Sequence, residues 1–119
     1  MASVRVLVCG DRRWKDEQAI ERELSRFPPE TIVIQGDNGN AERMAANIAR
    51  RLGMNVETHS ADWAKYGKSA IPIRNAEMMT EGRPEVVLAF HANIEDSRVT
   101  EDMVIRAREA GIKVQIFAV

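Results

Sequence analysis

The stretch Ile32-Val33-Ile34-Gln35-Gly36-Asp37-Asn38-Gly39-Asn40-Ala41-Glu42-Arg43 constrains this chain more than any other. A short β-branched run ends in two glycines and two asparagines, and a helix-type pattern follows at once. The same order of strand, turn and helix recurs along the 119 residues. Val4–Cys9 reads as a buried strand, and Asp16 as the N-cap of a helix running to about Phe27, where Pro28-Pro29 stops it. After the Thr31–Gln35 strand, a second helix starts near Asn40. Its stripe of Ala41, Met44, Ala45, Ile48, Ala49 and Leu52 ends at Gly53. Asn55–His59 is the third strand. Ser60–Ile71 is a long connection carrying Trp63 and Tyr66, and Pro72 suits the first turn of a third helix. Val86–Phe90, the most apolar strand, is followed by a polar loop, a helix over Val99–Ala110 and a last strand over Lys113–Phe117.

Strands alternating with helices imply βαβ units, a parallel sheet and right-handed crossovers. The expected fold is α/β: a Rossmann-like three-layer sandwich of five parallel strands, order 3-2-1-4-5, flanked by four helices. Residues 1–119 read as a single domain, with no linker, repeat or low-complexity segment.

Composition narrows the function classes. Apolar residues at 45% and charged residues at 29% suit a soluble globular domain. A net charge of −1 argues against nucleic acid as partner. There is no apolar run of membrane-spanning length, and Met1-Ala2-Ser3 leads directly into a strand, so no signal peptide, no membrane and a cytoplasmic location are expected. The single cysteine, Cys9, excludes an internal disulfide, suits a reducing compartment and reads as a small core residue. One Cys and two scattered His give no expectation of a metal, and no cofactor is expected.

In such sheets ligands bind beyond the carboxyl ends of the strands, where the strand order reverses. The loops there are Gly10–Trp14, Gly36–Asn40, Ser60–Ile71 and His91–Arg98. The Gly36–Asn40 turn is neither a dinucleotide fingerprint nor a Walker loop. It reads either as backbone N–H groups offered to an anion or as a tight turn built on Gly and Asn. Asp37 and Glu42 add negative charge there. A helix end supplies only roughly 0.3–1 kcal/mol to an anion, so Arg12, Arg13, Arg74 or Arg98 would have to help. In Gly10–Trp14, arginine suits phosphate and Trp14 suits a base, or else Trp14 covers a helix edge. Asp62–Lys68 reads as a lid or an oligomer contact. Arg74, placed in the first turn of a helix, opposes the dipole and calls for an anion, either a ligand or an internal carboxylate. Glu95, Asp96, Glu101 and Asp102 read as capping and first-turn acids. As a pair, Glu101 and Asp102 are also the candidates for acid/base work on a glycosidic bond. His59 and His91 sit at strand ends.

Several motifs then fall into a known order: Val8–Trp14 with Asp16, Ala61-Asp62-Trp63, Tyr66-Gly67, Pro72-Ile73-Arg74-Asn75, Leu88–His91, Ser97-Arg98-x-Thr100-x-Asp102-Met103 and Ala110–Val114. Together they resemble the YspA-related branch of the SLOG superfamily. This superfamily also holds the lonely-guy phosphoribohydrolases and the DNA-processing protein. The resemblance covers nearly the whole chain. It implies a pocket for a nucleotide or nucleotide-derived ligand, frequent dimerisation, and an occurrence in bacteria and their phages. By that likeness Gly36 and Gly39 match the phosphate-side turn, Arg74 matches the arginine preceding a helix, and Ser97–Thr100 matches a glycine-rich turn. The chain departs from the branch's Gly-Gly-Ala-Arg-Gly-Ala-Asp at Asp37 and Asn38, and has Val99 where a glycine is expected. Met103 stands where the phosphoribohydrolases have a catalytic glutamate.

The reading that follows is a ligand-binding, sensing or regulatory domain for a nucleotide-like small molecule. Its ligand-binding candidates are Gly10, Asp11, Arg12, Trp14, Gly36, Asn38, Gly39, Trp63, Arg74, Asn75 and Thr100. The rival readings are a nucleotide N-glycosidase and a protein-interaction module on a degenerate scaffold. A homodimer or higher homo-oligomer is expected in each case.

Overall fold

The computed structural model describes residues 4–118. In chain order the elements are β1 (Arg5–Gly10), α1 (Glu17–Leu24), β2 (Ile32–Gln35), α2 (Asn40–Arg51), β3 (Asn55–Thr58), the single-turn α3 (Trp63–Tyr66), α4 (Ala70–Gly82), β4 (Val86–Phe90), α5 (Arg98–Glu109) and β5 (Lys113–Phe117). All four strand pairings are parallel, in the order β3-β2-β1-β4-β5. This is the expected Rossmann-like sheet with its four long helices.

Side-chain alternation along the strands builds the three layers. Val6, Val8, Val33, Leu88 and Phe90 point to one face and pack with Ile20, Leu24, Ala45 and Ile48 of α1 and α2. Leu7, Cys9, Ile34, Val87 and Ala89 point to the other and pack with Met78 of α4 and with Met103, Val104 and Ala107 of α5. Both strands at the switch point, β1 and β4, are therefore sandwiched on both sides. Their carboxyl ends are held rigidly by core packing.

Local chemistry sets most boundaries. Asp16 caps α1 by accepting from Ala19 N–H at 3.1 Å. That helix ends at Leu24, not Phe27, because the chain tightens there: Arg26 N–H donates to Glu23 O and Phe27 N–H to Leu24 O. The connection expected over Ser60–Ile71 is largely helical. Asp62 caps α3 through Lys65 N–H at 3.0 Å, a 3₁₀ turn covers Gly67–Ser69, and α4 starts at Ala70. Pro72 still lies in the first turn, where its missing N–H costs nothing. Arg74 consequently falls in the second turn, so the argument that it opposes the helix dipole does not hold.

Candidate functional site

A crevice of about 630 Å³ opens beyond the carboxyl ends of β1 and β4, where the strand order reverses. Asp11, Arg12 and Arg13 form one wall. His91 and the segment Asp96–Val99 form the other. Asp11 N–H donates to Phe90 O at 2.9 Å and His91 N–H donates to Phe117 O at 2.9 Å, so both walls are pinned to the sheet. Ser97 Oγ caps α5 by accepting from Thr100 N–H at 3.2 Å, and Glu101 N–H donates to Ser97 O. The N–H groups of Arg98 and Val99 are thereby the open donors of that helix end. Three arginines face two aspartates here, so the local charge is positive although the chain's is not.

His91 is buried and oriented. Its Nδ1 accepts from Asn93 N–H at 3.0 Å, which leaves the proton on Nε2 in the neutral ring. Nε2 faces Asp11 Oδ2 at 3.9 Å, while Asp11 Oδ1 accepts from Arg13 N–H at 2.9 Å. Asp11 thus orders the arginine-bearing loop and faces the histidine.

The Gly36–Asn40 turn is filled by the protein itself. Asn40 N–H donates to Arg12 O at 3.0 Å and Ala41 N–H to Asp11 O at 3.3 Å. Glu42 is 4% exposed, and its Oε2 accepts from Asn38 N–H at 3.0 Å. Its Oε1 meets no donor among the described residues. Burial pushes the Glu42 carboxyl up to about 7, against the pull of backbone N–H groups and of Arg74. An internal carboxyl group therefore takes the Asn38 N–H that the anion-cradle reading of this turn would offer to a phosphate. The glycines serve close approach. A Cβ on Gly36 would stand 2.4 Å from Arg74 Nη1, one on Gly39 2.5 Å from Arg12 Cα, and one on Gly10 2.3 Å from Phe90 O.

Arg74 is likewise committed internally. It is 3% exposed. Nη1 donates to Gly36 O at 2.6 Å and to His59 O at 3.4 Å, and Nε donates to Asn75 Oδ1 at 3.0 Å. The guanidinium braces the turn from below. Asn75 passes the network on, donating to Val99 O at 3.2 Å and to Asp102 Oδ2 at 2.9 Å. Asp102 also accepts from Arg106 Nε at 2.8 Å. Thr100 Oγ1 donates to Gly10 O at 3.2 Å. Arg74, Asn75 and Thr100 enclose, with Cys9, Glu42 and Met103, a cavity of about 10 Å³, room for one water at most. Burial pushes the Cys9 thiol up, which leaves it without nucleophile character.

The expected site residues thus separate into groups. Asp11 and Arg12 line the crevice, and Gly10 lies just beneath it. Gly36, Arg74, Asn75 and Thr100 line the small cavity instead, and Asn38 and Gly39 complete the turn beside it. Trp14 is corrected outright: 5% exposed, it packs edge-on against Phe90 at 5.7 Å and offers no face to a ligand. Trp63 is 57% exposed on α3 and lines neither space. Asp102 is hydrogen-bonded to Asn75 and Arg106 and, like Glu101, lines neither space. Sequence reasoning missed Glu42 as a buried group, though its spacing of three, four and seven from Ala45, Ala46 and Ala49 marks the inner side of α2.

Comparison with known proteins shows the family and the fold. The model of the family described as "YspA, cpYpsA-related SLOG family" matches residues 4–66, which carry β1, the arginine loop, and the turn with its internal carboxyl group. The chain belongs to that family. One relative of this SLOG protein is the Gene 61 protein of Mycobacterium phage D29, 39% identical over an alignment of 119 positions that covers 92% of this chain and 93% of the relative. Among solved structures it is similar to DNA processing protein A from Streptococcus pneumoniae, with a TM-score of 0.56 at 13% identity. That likeness covers 98% of this chain and 59% of the other, and speaks for the fold.

Proposed function

We propose that this SLOG domain binds a small phosphate-bearing ligand of nucleotide type in the β1/β4 crevice, as a sensing or regulatory module of a phage protein. The observation that carries the reading is the convergence of Arg12, Arg13, Arg98 and the open N–H groups of α5 on one space of about 630 Å³. Arginine forks and a helix N-terminus both match phosphate oxygens. The volume suits a nucleoside monophosphate or diphosphate. Asp11 and His91 supply an acceptor and a donor for a sugar or base. The phosphate-holding role first given to Arg74 passes to these exposed arginines, since its own donors serve the turn.

Binding, without hydrolysis, is the reading we favour. Met103, at the position of the phosphoribohydrolase glutamate, is 1% exposed within the core. Calorimetry against a panel of nucleoside mono- and diphosphates tests the proposal. We expect dissociation constants in the micromolar to millimolar range and a loss of roughly tenfold or more for Arg98→Ala, the size of one charge-assisted contact. No heat at millimolar ligand, or an Arg98→Ala variant that binds as well as the parent, would sink it.

A further inference from the structure

A second group of polar side chains lies at the opposite end of the sheet edge, beyond β3. His59 follows that strand directly. Its ring is nine-tenths buried, and each ring nitrogen faces a carboxylate: Nε2 lies 2.7 Å from Glu57 Oε2 and Nδ1 lies 3.3 Å from Glu77 Oε1. Glu81, one turn further along α4, brings a third ligand atom, and the atoms of His59, Glu77 and Glu81 all lie within 4.8 Å of one another. Glu57 is in turn held by Arg5 Nη2 at 2.5 Å.

A neutral imidazole has only one N–H. The shorter contact, to Glu57, takes it. With the proton on Nε2, Nδ1 presents a lone pair to the lone pairs of Glu77 Oε1, an arrangement relieved by a second ring proton or by a metal cation held between them. Two ligands bound at about 2.0–2.1 Å to a tetrahedral zinc ion stand roughly 3.3–3.4 Å apart, which is the separation found here. A histidine whose other nitrogen donates to a carboxylate is the usual support of a metal-bound imidazole. We propose that His59, Glu77 and Glu81 bind a divalent transition-metal cation, zinc in the first instance, oriented by Glu57 and Arg5. One nitrogen and two carboxylate oxygens form a borderline donor set that favours zinc over magnesium or calcium. Three protein ligands leave a fourth position open on an exposed face of α4.

The site is separate from the β1/β4 crevice and does not depend on the ligand proposed there. Titration of metal-stripped protein with zinc chloride, followed by calorimetry and by thermal unfolding, tests it. We expect one zinc per chain at micromolar affinity, a rise in Tm on loading, and at least a tenfold loss of affinity in a Glu77→Gln/Glu81→Gln double variant. Both glutamates are exposed, so this variant keeps its core, whereas His59→Ala removes a buried ring. Nitrogen-15 NMR of the imidazole should show Nδ1 shifting on zinc addition while His91 is unmoved. Zinc binding unchanged in the double variant, or no binding at 100-fold excess over about 1 µM protein, would overturn the assignment. So would a ring protonated on both nitrogens and indifferent to zinc, because His59 would then simply bridge two carboxylates as an imidazolium.

Discussion

Glu42 shows how far one residue's role is set by its surroundings. On the surface it would be an ordinary first-turn acid of α2, favoured by the dipole. Buried beside Gly10, Asn38 and Arg74, its folded-state carboxyl sits at about 7 against an ordinary 4.5. The folded protein therefore holds a proton more tightly than the unfolded chain. That contribution to stability is fully present below about pH 4.5 and is lost as pH rises through about 7. Glu42→Gln keeps an acceptor for Asn38 N–H and cannot ionise. Denaturant titrations at several pH values should find the variant more stable than the parent at pH 8, by on the order of 2–3 kcal/mol, with a flatter profile across that window. Equal pH dependence in the two proteins would show that the carboxyl stays charged and well solvated.

At the scale of elements, Asn75 joins α4 to α5 and, through Arg74, to the turn after β2. Its Oδ1 and Nδ2 together satisfy Arg74 Nε, Val99 O and Asp102. Asn75→Ala would strand a buried guanidinium N–H and a carbonyl. A loss of about 2–3 kcal/mol is expected, read as a lower urea midpoint at unchanged slope. A smaller effect would mean that the two helices are held by apolar packing alone. The Pro-Ile-Arg-Asn segment thus acts as a bracket between layers and places the crevice wall at Val99 indirectly, through the start of α5.

For the molecule as a whole, the sheet sets two separate regions on one edge: the arginine-lined crevice at β1/β4 and the His59 cluster beyond β3. No helix among the described residues is long and apolar enough to cross a membrane. A ligand that fills the crevice binds only the folded chain and raises its stability by mass action. At 100 times its dissociation constant, a nucleoside monophosphate should add about 2.7 kcal/mol, a rise in Tm of roughly 11 °C for a domain of this size. Added salt should reduce the shift, since the arginines are exposed and screened. A shift that survives 1 M salt would point to apolar contacts instead.

Strand–helix alternation, the Asp16 cap, the Gly53 stop and the apolar stripes are local, and they sufficed for the sheet, its strand order and the edge where a ligand would bind. Periodicity and capping act between residues a few positions apart, so a linear reading detects them. What lay beyond that reading was decided by distances between remote segments. Trp14 and Arg74 are amphipathic or charged side chains whose exposure depends on what folds over them, and both are buried. Glu42 becomes the turn's internal acceptor only because the loop after β1 closes over it. His59 meets Glu77 across 18 residues. The glycine turn at Gly36–Asn40 was legible as a turn at the right edge. That the N–H groups of Asp37, Asn38 and Asn40 are already spent on Gln35, Glu42 and Arg12 follows from close packing, which no spacing of residues along the chain records.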